Sequence, residues 1–470
     1  MRMHKQALLS LLLLLVAAVS CNSISKVAPS EAELIEVPYD YKSIQEAINN
    51  ANPGNTIFVY NGTYYEHIII NKSLSLIGQN VEITTIDGSG TGTAIHISAN
   101  NVKVQGFTVR NGETGIHLKN CNTIIIEETR IENNIFDGIK MESSINTTIR
   151  RNTIEKISQN AIYLLNSSSN IIVYNNITCD SRWSYGILLY HSNNNTINHN
   201  SVKGTAPEGN EGGIGLLYSY NNSISNNFIS NNNWCGISLR YSNNTLVWGN
   251  TIIGHKWFGV RLTYSYHNII YCNNFVDNNY QASLENANAT WYFMNLGNYW
   301  SSYEGQDLEP DGVGDKPYEI DAENIDRFPL MGKFFEFTTL TEMEQKVKVQ
   351  IVSNSTISNF RFIKYFRPER GQNILLIKFT STVDSNCTSF CRITIPHLLL
   401  QGPYEVLVNG TPPIMLREIA STATYTTLYF TYINSNQVII VPEWSMIFFY
   451  LFSMIDTVLL IAAVKKKFRF

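Results

Sequence analysis

The chain returns at a steady interval to a Gly or Ala followed by alternating apolar residues. The anchors are Ala94, Gly115, Gly138, Ala161, Gly186, Gly213, Gly236 and Gly259, separated by 21, 23, 23, 25, 27, 23 and 23 residues. One residue after each anchor stands Ile95, Ile116, Ile139, Ile162, Ile187, Ile214, Ile237 or Val260. Three residues after stands Ile97, Leu118, Met141, Leu164, Leu189, Leu216, Leu239 or Leu262. A period of two predicts strands buried on one face. Recurrence at this interval predicts a solenoid, because one repeat cannot bury its apolar face alone.

Two further columns define the coil. Eleven residues after the anchors lie Ile126, Ile149, Ile172, Ile197, Ile224, Val247 and Ile270. Fourteen after lie Asn152, Asn175, Asn200, Asn227, Asn250 and Asn273. A β-branched column suits a stacked parallel strand. An Asn column suits a bend whose carboxamides bond to the coils above and below. Neither column requires a helix. The expected architecture is all-β: a right-handed parallel β-helix of about ten coils spaced ~4.8 Å apart, then a β-sandwich, then a C-terminal transmembrane helix.

Arg2, His4 and Lys5 precede an apolar run from Ala7 to Val19, the layout of a secretory signal over residues 1–25. Asn-x-Ser/Thr sequons follow at Asn61, Asn146, Asn166, Asn176, Asn243 and Asn409, among others. They are usable only on an exported chain. Ser43-Ile44-Gln45-Glu46 reads as a capping box opening a short helix within a capping segment, residues 30–55. Ile44, Ala47 and Ile48 would cover the open end of the first coil, where unpaired edges invite aggregation. The β-helix is expected over 56–296. A net charge of −4 with 15% charged residues argues against nucleic acid as a partner.

Val37-Pro38-Tyr39-Asp40-Tyr41-Lys42-Ser43-Ile44-Gln45-Glu46-Ala47-Ile48, Pro53-Gly54-Asn55-Thr56-Ile57 and Asn61-Gly62-Thr63-Tyr64 resemble the opening of pectate-lyase-like β-helix proteins. Gly297-Asn298-Tyr299-Trp300-Ser301-Ser302-Tyr303, Asp311-Gly312-Val313-Gly314-Asp315-Lys316-Pro317-Tyr318 and Phe328-Pro329-Leu330-Met331 resemble the closing segment of the NosD-like family, here residues 297–333. That resemblance implies a carbohydrate-binding or sugar-hydrolysing β-helix, or a periplasmic copper-binding one. A shared scaffold does not select among these.

Past Gly332 the rhythm stops. Strand-like runs such as Val347–Val352 and Ile374–Phe379 alternate with polar turns, which predicts a β-sandwich over 337–441. Cys391-Arg392-Ile393-Thr394-Ile395-Pro396 and Gly402-Pro403-Tyr404-Glu405-Val406 resemble a module appended to archaeal surface proteins. Pro442-Glu443-Trp444, an apolar run to Val464 and the basic tail 465–470 predict a membrane anchor over 444–464. The protein is accordingly expected at the cell surface, with the membrane as one partner.

Three groups of residues are candidate sites. Trp183, Trp234 and Trp257 sit two or three residues before anchors. Tyr218, Tyr241 and Tyr264 form a column five residues after them. Both sets could stack on sugar rings; for the Tyr column, ring-on-ring packing is the alternative. The insertion Thr205–Gly212 would wall a groove beside them. Asp307, Glu309, Asp311 and Asp315, with the Val313 carbonyl and Gly312, follow the order of a calcium loop, although Tyr318 replaces its closing Glu. His96 and His117, one coil apart, could share copper, although no Met or Cys joins their column.

Outward carboxylates Asp137, Glu142, Asp180, Glu208, Glu211 and Asp277 fall in different columns. Glycoside hydrolysis needs two at a defined separation. The expected function is therefore a surface β-helix protein that binds polysaccharide or surface glycan. The alternatives are a polysaccharide lyase or glycoside hydrolase, and a copper-binding protein.

Overall fold

A computed structural model describes residues 33–181, 184–205, 211–367, 372–383, 388–433 and 436–442. Leu34–Val37 opens a twelve-stranded sheet, Gly62–Tyr64 an eleven-stranded sheet and Ile68–Ile70 a ten-stranded sheet, all parallel. Each complete coil contributes one strand to each sheet. The result is a right-handed solenoid of about eleven turns.

The repeat columns are its register. Ile116 pairs with Ile95 and Ile139, and the column runs on through Val260 to Ala282. Ile126 pairs with Val104 and Ile149, and that column ends at Ile270. From Ile95 to Val260 and from Val104 to Ile270 these side chains are fully buried. The anchors lie where two coils approach closely. A Cβ on Gly115 would stand 2.6 Å from the Gly138 carbonyl oxygen and 2.8 Å from Ile131 Cγ2.

The Asn column is a continuous buried ladder. From Asn152 through Asn175, Asn200, Asn227, Asn250 and Asn273 to Asn298, each Nδ2 donates to the next Oδ1 at 2.9–3.0 Å. Each also takes a backbone partner, so no carboxamide is buried without bonds. The ladder ends on Asp326. Its Oδ2 accepts from the Asn298 backbone N–H at 2.7 Å and from Trp300 Nε1 at 2.9 Å. A serine column from Ser144 to Ser265 repeats the device at another corner, each backbone N–H bonding the next hydroxyl.

The helix Ile44–Asn50 closes the first coil with Ile44, Ala47 and Ile48 fully buried. The Ser43 hydroxyl accepts from Glu46 N–H at 3.2 Å. The reciprocal half of the capping box is shifted: Glu46 accepts from Lys42 N–H, and Glu66 takes the N–H groups of Ile44 and Gln45.

After the solenoid come a five-stranded and a four-stranded antiparallel sheet, beginning at Lys333–Leu340 and Thr356–Arg367. Val349, Ile351, Ile393 and Phe430 of one meet Ile377, Phe379, Val438 and Ile440 of the other in one core. The five-stranded sheet seats on the last coils. Asn274 clamps both backbone groups of Phe334, at 2.7 and 2.9 Å, and Cys272, Leu330, Phe334, Val352, Phe390 and Tyr429 form one apolar cluster.

The expected architecture needs correction at two points. The solenoid has about eleven turns rather than ten. Pairing starts at Leu34–Val37, whose irregular spacing hides it from the repeat. No helix among the described residues is long and apolar enough to cross a membrane, and those residues are all-β apart from the short helix Ile44–Asn50. The run 444–464 expected to span lies outside the described residues.

Candidate functional site

The strands of the ten-stranded sheet turn outward the residues two and four after each anchor, and the aromatic candidates lie at the two ends of these strands. Trp234 and Trp257 flank successive strands, Cys235–Arg240 and Phe258–Thr263. They are 39% and 42% exposed, with ring centroids 5.8 Å apart. Residues that no column of the repeat marks complete the surface. Phe258 meets Trp234 edge-on at 5.6 Å and Tyr280 at 5.6 Å. The Arg261 guanidinium lies 5.4 Å from the Trp234 ring and 5.2 Å from that of Phe258, and pairs with Glu285 at 3.0 Å. The patch thus offers apolar ring faces beside an oriented cation. Trp183 lies outside the described residues, as do 206–210 of the insertion.

Beside the aromatic patch is a polar group. Tyr185 folds across Gly212 and Gly215; a Cβ on Gly215 would stand 2.7 Å from its ring. Burial pushes the Tyr185 phenol up, with the charge of Glu211 acting in the same direction. Burial also raises the Glu211 carboxyl, while Arg240 and the Tyr185 hydroxyl oppose the rise. The signal in the sequence is Gly215, the one glycine in an outward column of larger residues.

The Tyr column stands at the other strand ends. His191, Tyr218, Tyr241 and Tyr264 stack at 5.1, 4.8 and 5.1 Å with rings within 10° of parallel. All four residues have positive φ, from 48° to 50°. That conformation is costly for bulky residues, and stacking offsets the cost. Because each inner face covers its neighbour, the ladder presents ring edges to solvent and leaves no space for a sugar between rings.

The acidic loop is tied down by its own backbone. Asp307 accepts from the N–H groups of Asp311 and Gly312, Asp311 from Val313, and Asp315 from Leu308. Arg392, 81 residues away, pairs with Asp311 at 3.3 Å and donates to its carbonyl at 2.7 Å. Burial raises the Asp307 carboxyl, and the charges of Asp311 and Asp315 raise it further. Glu309 makes no hydrogen bond or ion pair to another described residue. No group of three or more His, Cys, Asp or Glu among the described residues is placed to hold a metal ion.

His96 and His117 do face one another, at 5.2 Å between rings. Burial lowers both, aided by Lys119 at His96 and by His96 and Lys140 at His117. Glu142 lies 3.4 Å from His117 and 3.6 Å from Lys119. The pair has the two imidazoles that copper would need, and cations crowd it.

The geometry defines a class: a parallel β-helix protein with an aromatic and partly charged outer face. Residues 48–209 match the family described as periplasmic copper-binding protein (NosD), and residues 178–296 match the family described as right-handed beta helix region. These two matches, together with the solenoid, support a NosD-like right-handed β-helix family for residues 48–296. A cell surface glycoprotein of Methanothermus fervidus is 30% identical over 234 residues, which is 47% of this chain and 38% of that protein. The chain therefore spans well under half the length of that relative. Among solved structures, Geobacillus virus E2 ORF18 is 13% identical with a TM-score of 0.44, covering 82% of this chain and 72% of that one. An alginate lyase of Paenibacillus is 12% identical with a TM-score of 0.36, covering 54% and 99%. A DFA-IIIase of Arthrobacter chlorophenolicus is 13% identical with a TM-score of 0.37, covering 51% and 80%.

Proposed function

We propose that this is a β-helix protein of the cell surface that binds polysaccharide or glycoprotein glycan through the outer face of its ten-stranded sheet. The observation that carries the reading is the surface of exposed Trp234, Trp257 and Tyr280 around half-buried Phe258, with Arg261 laid against the Trp234 and Phe258 rings. Flat apolar faces beside charged and hydrogen-bonding groups suit sugar rings, which are apolar on one face and polar at the rim. The name of the Methanothermus relative supports the surface location. Replacing both Trp234 and Trp257 by Ala should weaken glycan binding about thirtyfold, at about 1 kcal/mol per lost stack, with an unchanged melting temperature. A glycan array on the parent protein, followed by titration of its best ligand, tests this. An array without binding removes the reading.

Calcium at Asp307, Glu309, Asp311, Val313 and Asp315 is proposed ahead of copper at His96 and His117. Burial is the main cause of the raised Asp307 carboxyl, and the like charges of Asp311 and Asp315 that add to it favour a cation. To bind one, the loop would have to draw its carboxylates together and Asp311 would have to release Arg392. Calorimetry should show calcium uptake, with a raised melting temperature that chelator reverses. No heat of binding at millimolar calcium would sink the proposal.

A further inference from the structure

We propose that Asn146, Asn194 and Asn221 are N-glycosylated, forming a row of sugar chains along the corner between the ten- and twelve-stranded sheets. This rests on the surface reading, since the reaction needs an exported chain. The three residues share one turn position, each exposed and each with φ between 50° and 57°. Asn accepts this left-handed conformation better than most residues, so the turn alone could explain an Asn. It does not explain the hydroxyl found two residues later. There the chain enters a strand of the twelve-stranded sheet, where the register aligns Ile125, Thr148, Ile171, Thr196, Ser223, Leu246 and Ile269. Between Lys103 and Ile269 the hydroxyls in that column are Thr148, Thr196 and Ser223, each two residues after an Asn. Towards its ends the column carries Thr56, Ser75 and Thr290, of which Thr290 alone lies two residues after an Asn. Where the turn holds Thr123, Ser169 or His267, the strand position is Ile. Asn101 and Asn244 precede Lys103 and Leu246 by the same two residues, as a turn requirement alone would permit.

The fold then divides each sequon by role. The middle residues Thr147, Asn195 and Asn222 are buried and belong to the corner's hydrogen bonding; Asn195 N–H donates to Asn222 Oδ1 at 2.8 Å, and Asn222 Nδ2 to the Ser192 carbonyl at 3.1 Å. The outer members are spare. The carboxamides of Asn194 and Asn221 make no hydrogen bond to another described residue, and neither do the hydroxyls of Thr148, Thr196 and Ser223. Asn146 donates to Asn122 at an exposed 3.1 Å bond. Of the paired asparagines Asn194-Asn195 and Asn221-Asn222, the structure therefore uses the second and leaves the first, the sequon residue, available.

The co-reactant is a lipid-phosphate-linked oligosaccharide. The Asn Nδ2 attacks the anomeric carbon of its first sugar. The N–C bond forms as the anomeric C–O bond breaks, the lipid phosphate leaves with that electron pair, and the amide loses one proton to the transferring enzyme's base. Nothing is oxidised or reduced. Asn194 and Asn221 lie one coil apart, ~4.8 Å, so the row shields this corner and the Tyr ladder next to it. Trp234 and Trp257 sit at the opposite strand ends and stay open.

The test uses the full chain purified from the envelope of its own host. Proteolytic peptides are weighed before and after chemical deglycosylation, and intact cells are labelled with an impermeant biotin reagent in parallel. The expected result is a sugar mass on the peptides carrying Asn146, Asn194 and Asn221. Thr196→Val, which keeps the strand's branched side chain and leaves Asn194 in place, should abolish the mass on Asn194 alone without moving the melting temperature. Unmodified peptides overturn the proposal wherever the protein is found. Biotin labelling then reports separately whether the surface reading falls with it.

Discussion

Asn227→Leu should be among the most damaging single changes in the solenoid. Asn227 is 1% exposed and makes four bonds. Its Oδ1 accepts from Asn200 N–H at 2.9 Å and Asn200 Nδ2 at 3.0 Å; its Nδ2 donates to the Ile197 carbonyl and to Asn250 Oδ1, both at 2.9 Å. Leucine fills the volume but removes all four bonds in a dry corner and takes the acceptor from the Asn200 N–H, although Asn200 Nδ2 keeps the Ile172 and Asn198 carbonyls and Asn250 Oδ1 keeps the residue 227 backbone N–H. The expected loss is on the order of 3–5 kcal/mol, read as a lower urea midpoint. Thr196→Val, outward on the same coil as Ile197, should move it by less than about 0.5 kcal/mol. Because a solenoid's stability resides in nearest-neighbour contacts, unfolding should begin at the coil carrying the substitution. Hydrogen exchange would show faster loss of protection at residues 197–250 than at 56–110. A variant with the parent's midpoint would mean that the ladder contributes no net stability.

Asp326→Ala should be comparably severe, and its severity should depend on pH. Asp326 is fully buried at the end of the ladder, and its removal strands the N–H groups of Asn298, Trp300 Nε1 and Phe328. Burial pushes its carboxyl from the ordinary 3.8 up to about 6, although these donors oppose the rise. The raised value means that the folded state holds the proton more tightly than the unfolded chain does. Stability from this group is thus fully present below about 3.8 and is lost as pH rises through about 6. Near pH 4 the variant should lose on the order of 3–5 kcal/mol. By pH 7 the gap should narrow by about 3 kcal/mol. Denaturation of both proteins at pH 4, 5, 6 and 7 measures this directly. A gap that widens with pH would show that the donors outweigh burial and that Asp326 stays ionised.

The acidic loop shows why a motif read along the chain can be incomplete. Its spacing matches a calcium loop, yet the groups that decide its electrostatics come from elsewhere. Arg392 reaches Asp311 from a strand of the sandwich, and Arg417 donates to the Pro310 carbonyl at 3.4 Å. In the aromatic patch, Trp234 and Trp257 could be found because they sit at one phase of the repeat. Phe258 and Tyr280 could not, because at that position other coils carry Gly212, Cys235 and Tyr185.

The sequence alone determined the coil: which residues point inward, which pair with which, and where the Asn ladder runs. It could do so because a solenoid makes its contacts between neighbouring repeats, so the spacing of columns along the chain is also their register in space. What the tertiary structure decided lies where that rule stops. The ladder's last acceptor, Asp326, is 28 residues from Asn298, outside any repeat. The sandwich docks through Asn274 and Phe334, 60 residues apart, and holds the acidic loop by Arg392. These contacts arise from chain folding back on the solenoid's end, and no periodic pattern encodes them.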